Sequence, residues 1–386
     1  MSQLTALINA RIFDGHAWHE HRSLVIEDRE IRGILSANEI PEDAKRIDCG
    51  GAVIVPGFID LQVNGGGGVM LNDDQSADGI RQICAAHAKF GTTALLPTLI
   101  TDTREITAAA VEAGKQARAA SVAGFLGLHL EGPHLSVARK GTHHPALIRP
   151  MEDADLQRLL TLKGAFDGLM ITVAPENTTE DQVRQLAEAG FTVSLGHTNT
   201  AYETAERYVA AGARTATHLF NAMSPLENRT PGLVGAAINL GSLYTGIIAD
   251  GFHVHPASMS IALRAKQGPG KVFIVSDAMS TIGTDLTGLK LNGRQIFRKD
   301  GRLTLEDGTL AGADIDMLSS VLFVHRKIGL DFEEAVRMAS LYPAEAIGVA
   351  DRKGQLKPGY DADFVVLTGD YRMKGTWIGG ESVFEA

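Results

Sequence analysis

At 386 residues, 44% of them hydrophobic, the chain can bury a large core and has room for a big domain with a small accessory one, and no window of about eighteen apolar residues offers a membrane span. A net charge of -10 without a basic run argues against nucleic acid, and leaves a small anionic substrate open if a few cations gather locally. Cys49 and Cys84 lack CxxC spacing and read as small buried hydrophobes, and Met1-Ser-Gln-Leu-Thr5 lacks a signal-peptide layout, so a soluble, cytoplasmic protein is expected.

In chain order, Leu4 to Phe13, Ser23 to Glu27 and Ile31 to Leu35 alternate apolar and polar residues as antiparallel strands do. The far end repeats that texture in Gly354 to Leu367 and Gly375 to Phe384. Residues 1–52 and 350–386 are therefore expected to build one small β-sandwich around a catalytic unit of residues 53–349. Inside that unit eight apolar runs follow one another: Ala52 to Gln62, Thr92 to Leu99, Phe125 to Glu131, Leu169 to Pro175, Phe191 to His197, Ala213 to His218, Leu243 to Asp250 and Lys271 to Asp277. Ala-rich helical stretches separate several of them, for example Asp78 to Lys89, Glu180 to Ala189 and Thr200 to Ala211. Eight β-α units predict an α/β fold, a TIM-like (β/α)8 barrel. An open doubly wound sheet fits less well, because Gly65 to Gly68 has neither GxGxxG nor GxxxxGK spacing and reads as a loop or close-packed turn.

A barrel of this kind carries its chemistry at the C-terminal ends of its strands, so the residues found there matter most. The run Leu126 to Leu130 stops in Glu131, and Gly132-Pro133 then ends the strand. Two later runs end in His197 and His218. One carboxylate and two imidazoles converging on one mouth outline a catalytic metal site with positions left for water. Other strand ends bring Asp60-Leu-Gln62-Val-Asn64, Asn221 with Ala222, Asp250-Gly-Phe-His253, and Asp277. Taken singly, each has a plainer reading as a buried polar residue satisfied by hydrogen bonds.

Taken together, Val55-Pro-Gly-Phe-Ile-Asp60, His129-Leu-Glu-Gly-Pro133, Gly196-His-Thr198, Thr217-His-Leu-Phe-Asn-Ala-Met223, Asp250-Gly-Phe-His253, Ser276-Asp-Ala278 and Lys357-Pro-Gly-Tyr-Asp-Ala-Asp363 resemble the amidohydrolase superfamily. More narrowly, they are similar to its N-acetylglucosamine-6-phosphate deacetylase family. The resemblance implies hydrolysis of the acetamide of N-acetyl-D-glucosamine 6-phosphate to glucosamine 6-phosphate and acetate. The galactosamine epimer is the rival substrate, since no motif here fixes one hydroxyl's orientation. A barrel that has lost catalysis and serves as a binding or assembly protein is the rival of another class, opposed by the presence of all three ligands and of Asp277.

The same resemblance implies one divalent metal on Glu131, His197 and His218, zinc first, with iron, cobalt, nickel or manganese also suited to the donor set. Where many superfamily members hold a second metal with His-x-His at strand one and lysine at strand four, this chain has Gln62-Val-Asn64 and Val173-Ala-Pro-Glu176, and neutral amides are poor ligands. Gln62 and Asn64 are left to hydrogen-bond the ligands or bound water, or simply to pack. Asp277 becomes the general base and acid, and His143, beside Thr142, the contact for the acetyl carbonyl or its oxyanion. His144 reads as a surface residue, His255 before Pro256 as a helix start, and His134 has no assigned role. Substrate contacts are implied at Asn221, the Ala222 backbone, Asp250 and His253. They are implied too at Leu310, Ala311 and Gly312, which follow a polar, hairpin-like insert from Leu289 to Glu306. Arg229 is implied to reach across a homodimer to the neighbour's substrate phosphate.

Overall fold

The computed structural model describes residues 4–291 and 293–386. Four strands open the chain: β1 (Leu4–Phe13), β2 (Trp18–Glu27), β3 (Glu30–Leu35) and β4 (Lys45–Pro56). The apolar run that starts at Ala52 is cut at Gly57, so Ala52 to Pro56 belong to β4 and the first barrel strand, β5 (Phe58–Val63), begins beyond it. A Cβ at position 57 would lie 2.1 Å from Thr93 Oγ1, and only glycine lets the backbone turn so close to the next barrel strand.

The glycine run, expected as a loop or close-packed turn, forms a small hairpin, β6 (Gly65–Gly66) and β7 (Val69–Met70). The barrel then continues with β8 (Thr92–Ile100), β9 (Gly127–Glu131), β10 (Gly168–Val173), β11 (Thr192–Leu195), β12 (Thr215–Ala216), β13 (Tyr244–Ile248) and β14 (Val272–Val275). With β5 these form one eight-stranded sheet in the order β5-β8-β9-β10-β11-β12-β13-β14, parallel throughout. Its ends meet where Asp277 N–H donates to Gln62 O at 2.9 Å and Val63 bridges Ala278. Helices alternate with the strands: α1 (Ala77–Ala88), α2 (Arg104–Ala119), α3 (Asp153–Leu160), α4 (Glu180–Glu188), α5 (Tyr202–Ala210), α6 (Gly232–Asn239) and α7 (Pro256–Ala265). Their starts are marked by side-chain caps, Ser76 on Gly79 N, Thr103 on Ile106 N, and a reciprocal Thr179–Gln182 box. His255 caps α7 by accepting from Ala257 N.

Beyond β14 the insert is a four-stranded antiparallel flap, β15 (Gly288–Leu291), β16 (Arg294–Lys299), β17 (Arg302–Thr304) and β18 (Leu310–Ala313). Three helices follow, α8 (Met317–Phe323), α9 (Phe332–Ala339) and α10 (Leu341–Ile347), then β19 (Phe364–Leu367), β20 (Met373–Ile378) and β21 (Glu381–Glu385). Both chain ends meet, as expected, in one small β unit, a seven-stranded sheet in the order β21-β20-β19-β4-β1-β2-β3. β4 joins the two halves, pairing in parallel with β1 on one side and antiparallel with β19 on the other. Val53, Val55, Val365 and Leu367 join the barrel core, while Leu7, Ile12, Ile54 and Phe364 build a second core on the other face. Among the described residues no helix is long and apolar enough to cross a membrane.

Candidate functional site

β9 ends on Glu131 itself, while His197, His218 and Asp277 stand just past the ends of β11, β12 and β14. Those three residues share an uncommon backbone, with φ of 47°, 27° and 51°. Left-handed conformations of this kind cost an L-residue about 1–3 kcal/mol and persist only where the surroundings impose them. Here the neighbours do impose them. His197 O accepts from Ser136 N at 2.8 Å, and Asp277 is pinned between strands, donating to Gln62 O and accepting at its own carbonyl from Ala313 N at 2.9 Å.

The turned backbones aim the side chains at one point. Glu131 Oε1 lies 3.3 Å from His197 Nε2 and 3.4 Å from His218 Nε2, and the two Nε2 atoms are 3.1 Å apart. An ion with zinc-like bonds of ~2.0–2.1 Å in a tetrahedral site separates its ligands by about 3.3–3.4 Å, so the triangle has the size of one face of such a site. His143 Nε2 is farther out, 3.7 Å from Glu131 Oε2, although Glu131, His143 and His197 also present atoms within 4.8 Å of one another.

Hydrogen bonding separates the two kinds of histidine. His197 Nδ1 faces Arg139 O at 2.9 Å, and a carbonyl only accepts, so Nδ1 carries the proton and Nε2 offers a lone pair to an ion. At His143 the polarity reverses, because Thr101 N–H points at Nδ1 at 3.3 Å, with the Thr101 hydroxyl at 2.8 Å. We assign the His143 proton to Nε2 on that basis, which makes it a donor into the site and a poor ligand. His218 Nδ1 is buried without a hydrogen-bond partner.

The two carboxylates are driven apart. Burial would raise Glu131, but the Nε2 proton of His143 and the imidazoles of His197 and His218 that face it hold it well below the usual carboxylate range. Asp277 is raised, by burial first and then by the charge of Glu131. One acid thus stays ionised while its neighbour is ready to accept a proton, the division of labour expected of a hydrolytic pair. Gln62 Nε2 donates to Glu131 Oε1 at 3.0 Å and Asn64 Nδ2 to Asp277 Oδ1 at 2.7 Å, so both amides orient these carboxylates. Glu176 is occupied elsewhere, accepting from Thr198 Oγ1 and Asn199 N.

Below the triangle a polar chain crosses the barrel interior. His129 Nε2 meets Thr172 Oγ1 at 2.7 Å, Thr172 meets Thr217 at 2.8 Å, and Ser194 meets Thr217 at 2.6 Å. Three of the strands involved, β9, β11 and β12, also carry or adjoin a residue of the site, so the chain fixes the relative heights of those tips.

A cavity of about 170 Å³ opens above the four side chains. Asn64, Thr142, His143, Asn221, Ala222, His253, Leu310 and Gly312 line it with Glu131, His197, His218 and Asp277. Four expected site residues do not. Gln62 lies behind Glu131, and Asp250 behind His253, whose Nδ1 it binds at 2.6 Å. Ala311 is fully buried on the opposite side of β18 from its neighbours, because side chains alternate along a strand. Arg229 is exposed on the loop before α6, outside its own subunit's cavity. Sequence reasoning passed over Thr101, which holds His143, and Ile100, Ile248, Met279 and Leu291, which with Gly141 complete the lining. A strand read to end at Leu99 hid the first two, since β8 runs to Ile100. Larger cavities lie elsewhere, one between the barrel and the terminal sheet and another behind α2; their charges are mainly arginines, lysines and carboxylates, and neither gathers several imidazoles around a carboxylate.

An amidohydrolase family model matches residues 53–383, and a model described as the NagA composite domain matches residues 5–54. An N-acetylgalactosamine-6-phosphate deacetylase of Shewanella sp. (strain ANA-3) is 41% identical, over 95% of this chain and 93% of its own length. An N-acetylglucosamine-6-phosphate deacetylase of Haemophilus influenzae is 36% identical over 97% and 98% of the two chains. The crystal structure of N-acetylglucosamine-6-phosphate deacetylase from Pasteurella multocida superposes with a TM-score of 0.94 at 36% identity, covering 98% of this chain and 99% of that one.

Proposed function

The chain belongs to the amidohydrolase family, and from that premise we propose that it removes the acetyl group of N-acetyl-D-glucosamine 6-phosphate, giving glucosamine 6-phosphate and acetate. The observation that carries this reading is the triangle of Glu131 Oε1, His197 Nε2 and His218 Nε2, with sides of 3.1–3.4 Å, beside a second carboxyl held ready for a proton. Its size and donors fit a single divalent ion, zinc first, with iron, cobalt, nickel or manganese as alternatives of the same donor class. Held by Glu131, His197 and His218, such an ion would supply acidity to water, with a pKa of about 7 for zinc, and polarisation of the amide carbonyl.

The chain's own groups supply the remaining steps. His143 directs its Nε2 proton at the carbonyl oxygen and stabilises the charge that develops there. Asp277 takes the proton of the attacking water and returns it to the sugar nitrogen as the carbon–nitrogen bond breaks, with Asn64 holding Oδ1 so that the other oxygen works. Asn221, the Ala222 backbone and His253, itself steadied by Asp250, receive the sugar phosphate at the far side of the cavity. Free, buried Cys49 and Cys84 suit a reducing compartment, which for this reading is the cytoplasm.

We also infer a homodimer in which Arg229 completes the partner's phosphate site. Supporting it, Val137, Leu226, Phe252, Leu286 and Phe297 are exposed apolar side chains on segments that follow barrel strands, and Leu226 shares the loop of Arg229. Mixing Arg229→Ala with His218→Ala subunits should restore activity in isolated heterodimers, one of whose sites is intact. No recovery would remove Arg229 from the neighbour's site.

The galactosamine epimer is a second reading with its own support, the 41% identity to the Shewanella deacetylase. Acetate release from both sugar phosphates, measured as kcat/KM, decides between them. Release from neither by metal-loaded protein would end the deacetylase reading.

A further inference from the structure

We infer that Ile100, Met279 and Leu291 form the wall that limits the substrate's N-acyl group to acetyl, an inference that rests on the deacetylase reading. All three line the cavity, and all three belong to one small apolar cluster distinct from the barrel core. Their positions follow from the groups that act on the amide. Ile100 immediately precedes Thr101, whose N–H and hydroxyl hold the His143 ring, so its side chain stands beside the donor to the carbonyl. Met279 lies two residues beyond Asp277, the proton carrier, and Leu291 comes from β15 of the flap. With the carbonyl oxygen at His143, the nitrogen at Asp277 and the phosphate toward Asn221 and His253, the acyl methyl is the one substituent left to face this wall.

The wall has little give. Behind it Met70, Ile296, Leu303 and Ala311 are all at most 2% exposed and belong to the same cluster, so no void waits to receive a longer chain. Met279 is pinned from the flap as well, since a Cβ at Gly312 would come within 2.5 Å of its Cγ and Sδ. A closed apolar pocket of this sort discriminates one methylene by roughly 10–200-fold in kcat/KM. Acetyl fits, and propionyl must displace packed side chains.

The test compares N-acetyl and N-propionyl forms of whichever hexosamine 6-phosphate the wild-type enzyme prefers. Wild type is expected to favour acetyl by at least about tenfold. Leu291→Ala removes three carbons from the wall and Ile100→Val removes one, matching the methylene that propionyl adds. Each should narrow the preference about tenfold. Ile248→Val, which trims the lining at the end of β13, should not narrow it. An unchanged preference in folded Ile100→Val overturns the inference even if Leu291→Ala fails to fold. Equal narrowing in Ile248→Val also overturns it, as would a wild type indifferent to acyl length. Wild-type protein that releases neither acid sinks the deacetylase reading itself, a result plainly different from acetate release without acyl selectivity.

Discussion

His143 and His218 present the same atom to the same carboxylate, yet their removal should fail in different ways. His218→Ala takes away a corner of the 3.1–3.4 Å triangle, so purified protein should carry well under one equivalent of metal by elemental analysis. His143→Ala leaves the triangle whole. It should keep its metal and lose about 10²–10³-fold in kcat, the usual effect of deleting one oxyanion donor. Asp277→Asn should also hold metal while kcat falls by about 10²–10⁴-fold, and its effect on stability has the opposite sign. Because the folded-state pKa of Asp277 lies above its unfolded value, the ionised side chain opposes folding once pH exceeds that range. Metal-stripped Asp277→Asn protein should therefore unfold at a higher urea concentration than stripped wild type at pH 7. The four central residues were legible because polar side chains ended apolar runs. The left-handed backbones of His197, His218 and Asp277 were not, since histidine and aspartate carry no mark of the strain they tolerate.

At the level of elements, eight apolar runs announced eight strands, and every one is present. What escaped was where they stop. Gly57 ends β4 through a contact with Thr93 more than thirty residues away, and local alternation holds no record of such contacts. The flap was read as a hairpin-like insert, but its apolar face escaped, for another reason. Its short strands show a dry face only when Leu291, Ile296, Leu303 and Ala311 meet Met70, Ile100 and Met279 from other elements. Strand packing inside the barrel yields a further prediction. A Cβ at Gly196 would lie 2.8 Å from Thr217 Cβ and 2.9 Å from Thr172 Cγ2, both members of the polar chain beneath the site. Gly196→Ala should push β11 aside one residue before His197. Metal affinity, measured by competition with a chelator, should fall about 10–100-fold, as it does when the supports of a ligand are disturbed. Undiminished affinity would show that the tip moves independently of the strand below it.

For the molecule as a whole, acid is the expected weakness. His87 and His134 are buried and neutral, each with its pKa pushed down to about 4, chiefly by burial. The unfolded chain accepts protons at these rings near pH 6.5, whereas the folded chain refuses them. Stability from this source is complete above about pH 6.5 and is lost as pH falls toward 4, on the order of 3 kcal/mol per ring. Urea midpoints at pH 7 and pH 4.5 should show the loss, and His87→Gln, which cannot charge, should show a smaller one. Parallel curves for the two proteins would exclude His87 as a source of the acid sensitivity.

The sheet shared by the two chain ends bears on how the protein is made. β4 emerges from the ribosome early, but its edge toward β19 stays bare until about 300 further residues have been synthesised, because Pro56 pairs with Phe364. Val53 and Val55, which end up against the barrel, must wait for Val365 and Leu367 to cover their flank. A nascent chain stalled anywhere in that interval displays an unpaired strand to its neighbours on the same message, the kind of edge that recruits other chains. Chaperone demand during translation should thus be set by the last strands to appear, however early the catalytic barrel takes shape.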